Sequence, residues 1–99
     1  MYSYDFHIKA QEEYEESVKW YKIRSIKAAE GFVSAVENTL TLICQNPGRW
    51  RNEYKSLHEL GVKKYPFVII YTINHELEHV LIVSVFHGKR SPRRRYNKR

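Results

Sequence analysis

The chain has 99 residues, 42% hydrophobic and 28% charged, with a formal net charge of +6 and only 4 Gly and 3 Pro. This is enough for one domain and too little for two, and a domain of this size can hold a modest core without staples. No run reaches the ~18 consecutive apolar residues of a membrane span, so no membrane is expected as partner, and a single cysteine, Cys44, excludes an intrachain disulfide.

Tyr2, Tyr4, Phe6 and Ile8 alternate with Ser3, Asp5 and His7, which predicts a strand with one buried face and an exposed His7. The opening MYSYDFHIKA also lacks the basic-then-apolar order of a signal peptide, and with one cysteine the expected location is the reducing cytoplasm. From about residue 10 to 24 the period changes. Ala10, Tyr14, Ser17 or Val18, and Tyr21 recur at helical spacing. Glu12, Glu13, Glu15 and Glu16 come early and Lys19, Lys22 and Arg24 late, an order that complements the helix dipole and predicts a solvated face.

Ser25 offers an N-cap for a second helix, whose apolar stripe runs through Ala29, Phe32, Val33, Val36, Leu40 and Ile43. Asn46-Pro47-Gly48 stops it, because proline cannot continue the hydrogen-bond ladder. Cys44 falls in this apolar run and reads as inert core. So short a link between the helices predicts an antiparallel hairpin. Residues 48–56 are polar and read as irregular. A short strand is expected over 57–64, a second over 65–73 and a third over 79–86, with a turn at 74–78 between the last two. Both later strands are nearly continuous apolar runs, as expected for strands covered on both faces. The fold class is therefore α+β: one strand, a helical hairpin, then three strands in a mainly antiparallel four-stranded sheet packed by the two helices.

Charge is unevenly spread. Residues 1–60 hold 8 Lys+Arg against 9 Asp+Glu, whereas residues 61–99 hold 9 against 2. The last strand runs through His87 and Gly88 into a basic tail, 89–99, with Lys89, Arg90, Arg93, Arg94 and Arg95 followed by Tyr96. Cations interleaved with an aromatic suit phosphates and stacked bases, and a histidine beside them can move a proton near neutral pH. The bland alternative is a solvated terminus. Metal ligation is not expected: His75 and His79 are four apart but flank a turn. No glycine-rich phosphate loop is present, and no Ser/His/Asp set stands out. No cofactor is expected.

In this order, the helical hairpin with Ala28 and Ala29 early in its second helix, the Asn46-Pro47-Gly48 stop, Tyr65-Pro66-Phe67-Val68-Ile69-Ile70-Tyr71 and Val85-Phe86-His87-Gly88-Lys89-Arg90-Ser91-Pro92 resemble the RelE/ParE superfamily of bacterial type II toxins. The resemblance covers nearly the whole chain as a single domain, 1–99. It implies a toxin neutralised by a cognate antitoxin. One branch of the superfamily cuts mRNA on the ribosome without a metal; the other poisons DNA gyrase. For the ribonuclease branch the resemblance implies Arg90 at the scissile phosphate, with His87 and Tyr96 as further catalytic candidates. Lys63, Lys64, Lys89, Arg93, Arg94 and Arg95 are then target- or phosphate-binding. That branch often carries an arginine within the strand before the last, and here the stretch is Phe67-Val68-Ile69-Ile70. The two signatures look more like the ParE-like, plasmid-stabilisation side, which implies a gyrase-directed inhibitor of growth. A non-catalytic nucleic-acid-binding domain is the third reading.

Overall fold

A computed structural model describes residues 1–54 and 56–88. The first strand, β1 (Ser3–Phe6), gives way at His7 to helix α1 (Ile8–Arg24). His7 has extended backbone, and its Nδ1 accepts from the Lys9 amide at 3.2 Å. It is thus the N-cap of α1, a use of an exposed histidine that alternation alone does not reveal. Ser25 is the whole link to helix α2 (Ile26–Gln45), and its hydroxyl accepts from the Ala28 amide at 3.2 Å, the expected cap. With so short a link the helices fold back on each other.

Pro47–Arg49 forms a single 3-10 turn. Three strands were expected after the hairpin, and β3 (Leu57–Gly61), β4 (Phe67–Asn74) and β5 (His79–His87) supply them. The stretch read as irregular also contains β2 (Asn52–Tyr54), a three-residue strand that adds an outer edge to the expected four. The sheet order is β1-β5-β4-β3-β2, antiparallel throughout except for the parallel pair β1–β5. The first and last strands are thus neighbours, and the sheet closes only when distant parts of the chain meet.

The apolar runs of β4 and β5 conceal an alternation. Phe67, Ile69 and Tyr71 of β4 join Val80, Ile82 and Val85 of β5 in one core with Phe32, Val36, Leu40 and Ile43 of α2 and Ala10 of α1. Of the other residues of these strands, Ile70, Ser84 and Phe86 are buried as well, in keeping with strands covered on both faces, and Val68, Thr72, Leu81 and Val83 are half-buried. On β5 the core spacing goes from two residues to three. The reason is a register slip: Ile70 pairs with Ser84 but Tyr71 with Ile82, so Val83 is an extra residue in β5.

One polar bond crosses this core. Tyr71 is fully buried, and its hydroxyl donates to the Pro47 carbonyl at 2.6 Å, tying the stop after α2 to the middle of the sheet. Burial, with a smaller contribution from Cys44, pushes the Tyr71 hydroxyl far above its ordinary value of 10.0. Cys44 is buried too, and burial raises its thiol, in keeping with inert core. Tyr71→Phe should leave the Pro47 carbonyl without a donor and lower stability by about 1–2 kcal/mol, roughly 5–15 °C in a thermal melt. The pH dependence has a definite sign. The folded chain keeps the proton where the unfolded chain loses it, so stability should fall as pH rises above about 10, and less steeply in Tyr71→Phe.

Candidate functional site

The turn between β3 and β4 and the exit of β5 lie at one end of the sheet. Phe67 pairs with His87, and the Gly88 amide donates to the Pro66 carbonyl at 2.6 Å. The turn carries Lys63 and Lys64, both exposed, and is closed by the Val62 amide donating to Phe67 and the Tyr65 amide to Val62. Lys64 sits in the left-handed region with φ 71°, a conformation that costs a residue with a Cβ about 1–2 kcal/mol. His87 therefore shares a sheet end with both lysines, as the sequence reading requires. Lys89, Arg90, Arg93, Arg94, Arg95 and Tyr96 lie outside the described residues.

His87 is half-buried and its ring stands edge-on to Phe67, centroids 5.1 Å apart. It opens into a cleft of about 540 Å³ between α1 and the ends of β4 and β5. The strand side is Phe67, Val85 and His87, with Pro66 at the lip. The helix side is Glu13, Glu16, Ser17, Trp20 and Tyr21. Sequence reasoning missed this helical wall, although its signal is present: positions 13, 16, 17, 20 and 21 form one stripe at i, i+3, i+4, i+7 and i+8. The stripe mixes acids and aromatics, so a hydrophobic period does not detect it.

Glu13 departs from the expected solvated face. Its Oε1 accepts from the Ser84 hydroxyl and from the Val85 amide, both at 2.9 Å. Those groups adjoin the extra residue of β5, where the ladder is irregular and a backbone amide needs another acceptor. A carboxylate on α1 thus fastens the helix to the bulge. Trp20 lies at the other end of the cleft, half exposed, with the Arg24 guanidinium stacked 3.6 Å from its ring centre and bonded back to the Trp20 carbonyl at 2.8 Å.

A hydroxyl, an imidazole and a carboxylate also meet elsewhere. Ser3 Oγ lies 3.0 Å from His79 Nδ1, and Asp5 Oδ2 lies 3.2 Å from His79 Nε2. The sequence did not single this set out, because it forms only when β1 pairs with β5. It lies on an exposed surface, and the Ser3 amide is committed to the Glu78 carbonyl at 3.1 Å. It fastens the edge strand. Among the described residues no three His, Cys, Asp or Glu side chains converge as a metal would require, and no helix is long and apolar enough to cross a membrane.

The sequence fits the family described as ParE toxin of type II toxin-antitoxin system, parDE, over residues 4–92. Solved structures with a similar backbone include the isolated E. coli RelE toxin, with a TM-score of 0.62, 16% identity, and coverage of 98% of this chain and 95% of that one. The chromosomal ParDE system from P. aeruginosa gives 0.64 and 17%, covering 90% and 98%. The intact E. coli RelBE toxin–antitoxin complex gives 0.62 and 16%, covering 91% and 100%. At these identities the structural likeness establishes the fold. No curated protein matches the sequence significantly.

The Glu13 fastening is testable. Glu13→Ala removes both bonds to a charged acceptor and should destabilise the domain by about 2–3 kcal/mol, with Glu13→Gln intermediate. Chemical denaturation of the three proteins would measure it; a midpoint unchanged in Glu13→Ala would assign the α1–β5 junction to apolar packing alone.

Proposed function

Since the chain belongs to the ParE toxin family of type II toxin–antitoxin systems, we propose that it inhibits growth by acting on DNA gyrase and is neutralised by a cognate antitoxin. The observation that carries the choice of target is the fit to the ParE toxin family over residues 4–92. The cleft beside His87 is lined by Glu13 and Glu16, while Lys63 and Lys64 share its end of the sheet. Metal-free RNA cleavage needs a base for the 2′-hydroxyl, an acid for the leaving oxygen and cations for the developing charge. No strand among the described residues contains a lysine or arginine, while Asp5 and Glu59 both lie on strands.

The exposed Lys63 and Lys64, with the basic residues from Lys89 to Arg95, then serve as a docking surface for an acidic patch on a protein target rather than as phosphate ligands in a catalytic centre. In the competing reading, ribosome-dependent mRNA cleavage, Arg90 would stabilise the phosphate, with His87 and Tyr96 beside it.

One purified sample tested for gyrase supercoiling and for mRNA cleavage on programmed ribosomes separates the two. Supercoiling should be blocked while mRNA stays intact. Codon-spaced cuts that disappear in Arg90→Ala, with supercoiling normal, would replace this reading with the ribonuclease. In cells, expression should arrest growth, and co-expression of the antitoxin should restore it.

A further inference from the structure

We infer that the cleft between α1 and the ends of β4 and β5 receives an arginine side chain presented by the antitoxin segment that neutralises this chain. The inference rests on the toxin–antitoxin reading for the identity of the partner, but the chemistry of the cleft is independent of it. Tyr21, Pro66, Phe67 and Val85 give apolar walls against which the methylene stem of a long side chain packs. Glu16 is exposed at the rim and has no hydrogen-bonding or ionic partner among the described residues. Glu13 adds a second carboxylate deeper in, oriented by its bonds to Ser84 and Val85. A planar guanidinium, with donors in a fixed fork, matches carboxylates arranged along a helix better than a compact ammonium does.

Trp20 supplies an independent observation. The chain already places one guanidinium, that of Arg24, on one face of this indole at 3.6 Å, so the ring at the rim of the cleft is chemically suited to such a group. An anion is excluded by the two carboxylates, and an uncharged apolar residue would leave Glu16 unsatisfied. The neutralising segment must therefore carry a cation where it crosses α1, although the basic stretch beyond β5 calls for acids elsewhere along it.

The first test uses N-acetyl-arginine methylamide as probe and its citrulline analogue, nearly isosteric and neutral, as control. In ¹H–¹⁵N spectra of the full chain, the arginine probe should shift the Trp20 indole and Val85 amide signals saturably, and the citrulline analogue should not. Equal responses, or no response at these signals, would overturn the inference whatever the protein's function. The second test measures binding of the antitoxin encoded beside the toxin gene. Glu16→Lys should weaken its Kd roughly tenfold or more and Glu16→Gln less, with thermal melts unchanged because Glu16 is exposed. Wild-type affinity in Glu16→Lys would overturn the arginine slot and leave the toxin reading standing. No binding by the wild-type chain would overturn the toxin–antitoxin reading, and the identity of the partner with it.

Discussion

Phe32 is the side chain on which the arrangement turns. It is completely buried in α2, and its ring lies 4.9 Å from Tyr21 and 6.0 Å from Tyr14 of α1, 5.0 Å from Phe67 of β4 and 5.5 Å from Tyr65 of the β3–β4 turn. One ring therefore touches both helices, the sheet and the turn that meets the end of β5. Gly31 helps: a Cβ there would come within 2.7 Å of the Tyr65 hydroxyl, so glycine leaves room for the end of that side chain beside the helix. Two of these neighbours, Tyr21 and Phe67, are also walls of the cleft. The wall of the cleft is thus the outer side of the same aromatic cluster that holds the hairpin on the sheet, and this packing acts with the Glu13 bonds to hold it.

The bulge in β5 does a different job. Without the bulge at Val83, strict alternation would bring Ile82 and Val85, three residues apart, to opposite faces, and one of them would leave the core. With it, both stay in the core and a backbone amide faces α1, where Glu13 accepts it. The acid that meets this need also lines the neighbouring cleft. A structural requirement of the strand and the chemistry of the cleft therefore share one carboxylate.

Much of this was legible in the sequence. The period of two before His7, the change to helical spacing, the Ser25 cap and the proline stop at Pro47 fix the element order, because each is a local rule with a local cause. β2 was not legible, since three polar residues at an edge carry no alternation to read. The bulge was hidden for the opposite reason: a nearly unbroken apolar run such as Val80–Val85, interrupted only by Ser84, looks much the same in any register. The site divides along the same line. His87, Lys63 and Lys64 stood out because they flank strand ends along the chain, and the fold places them at one end of the sheet. Glu13, Glu16 and Trp20 were missed because their meeting with β5 depends on tertiary packing, and glutamates grouped on a helix read as solvated. The Ser3–His79–Asp5 set was invisible because His79 lies more than seventy residues from the other two.

Charge segregation sets the electrostatic problem for any partner that covers the molecule. The first 60 residues carry a slight negative excess and present Glu12, Glu13, Glu15 and Glu16 on a single helix, while the remainder carries nine cations against two acids. A uniformly acidic partner would be attracted to the C-terminal part and repelled at the glutamates in the first half of α1, whose second half carries Lys19, Lys22 and Arg24. A uniformly basic one would meet the reverse. Only a segment whose charge changes sign along its length gains at both ends, and sliding it along the surface would bring like charges together. Opposed charge blocks therefore act as a register mark: they contribute modestly to affinity at exposed positions and disfavour shifted docking.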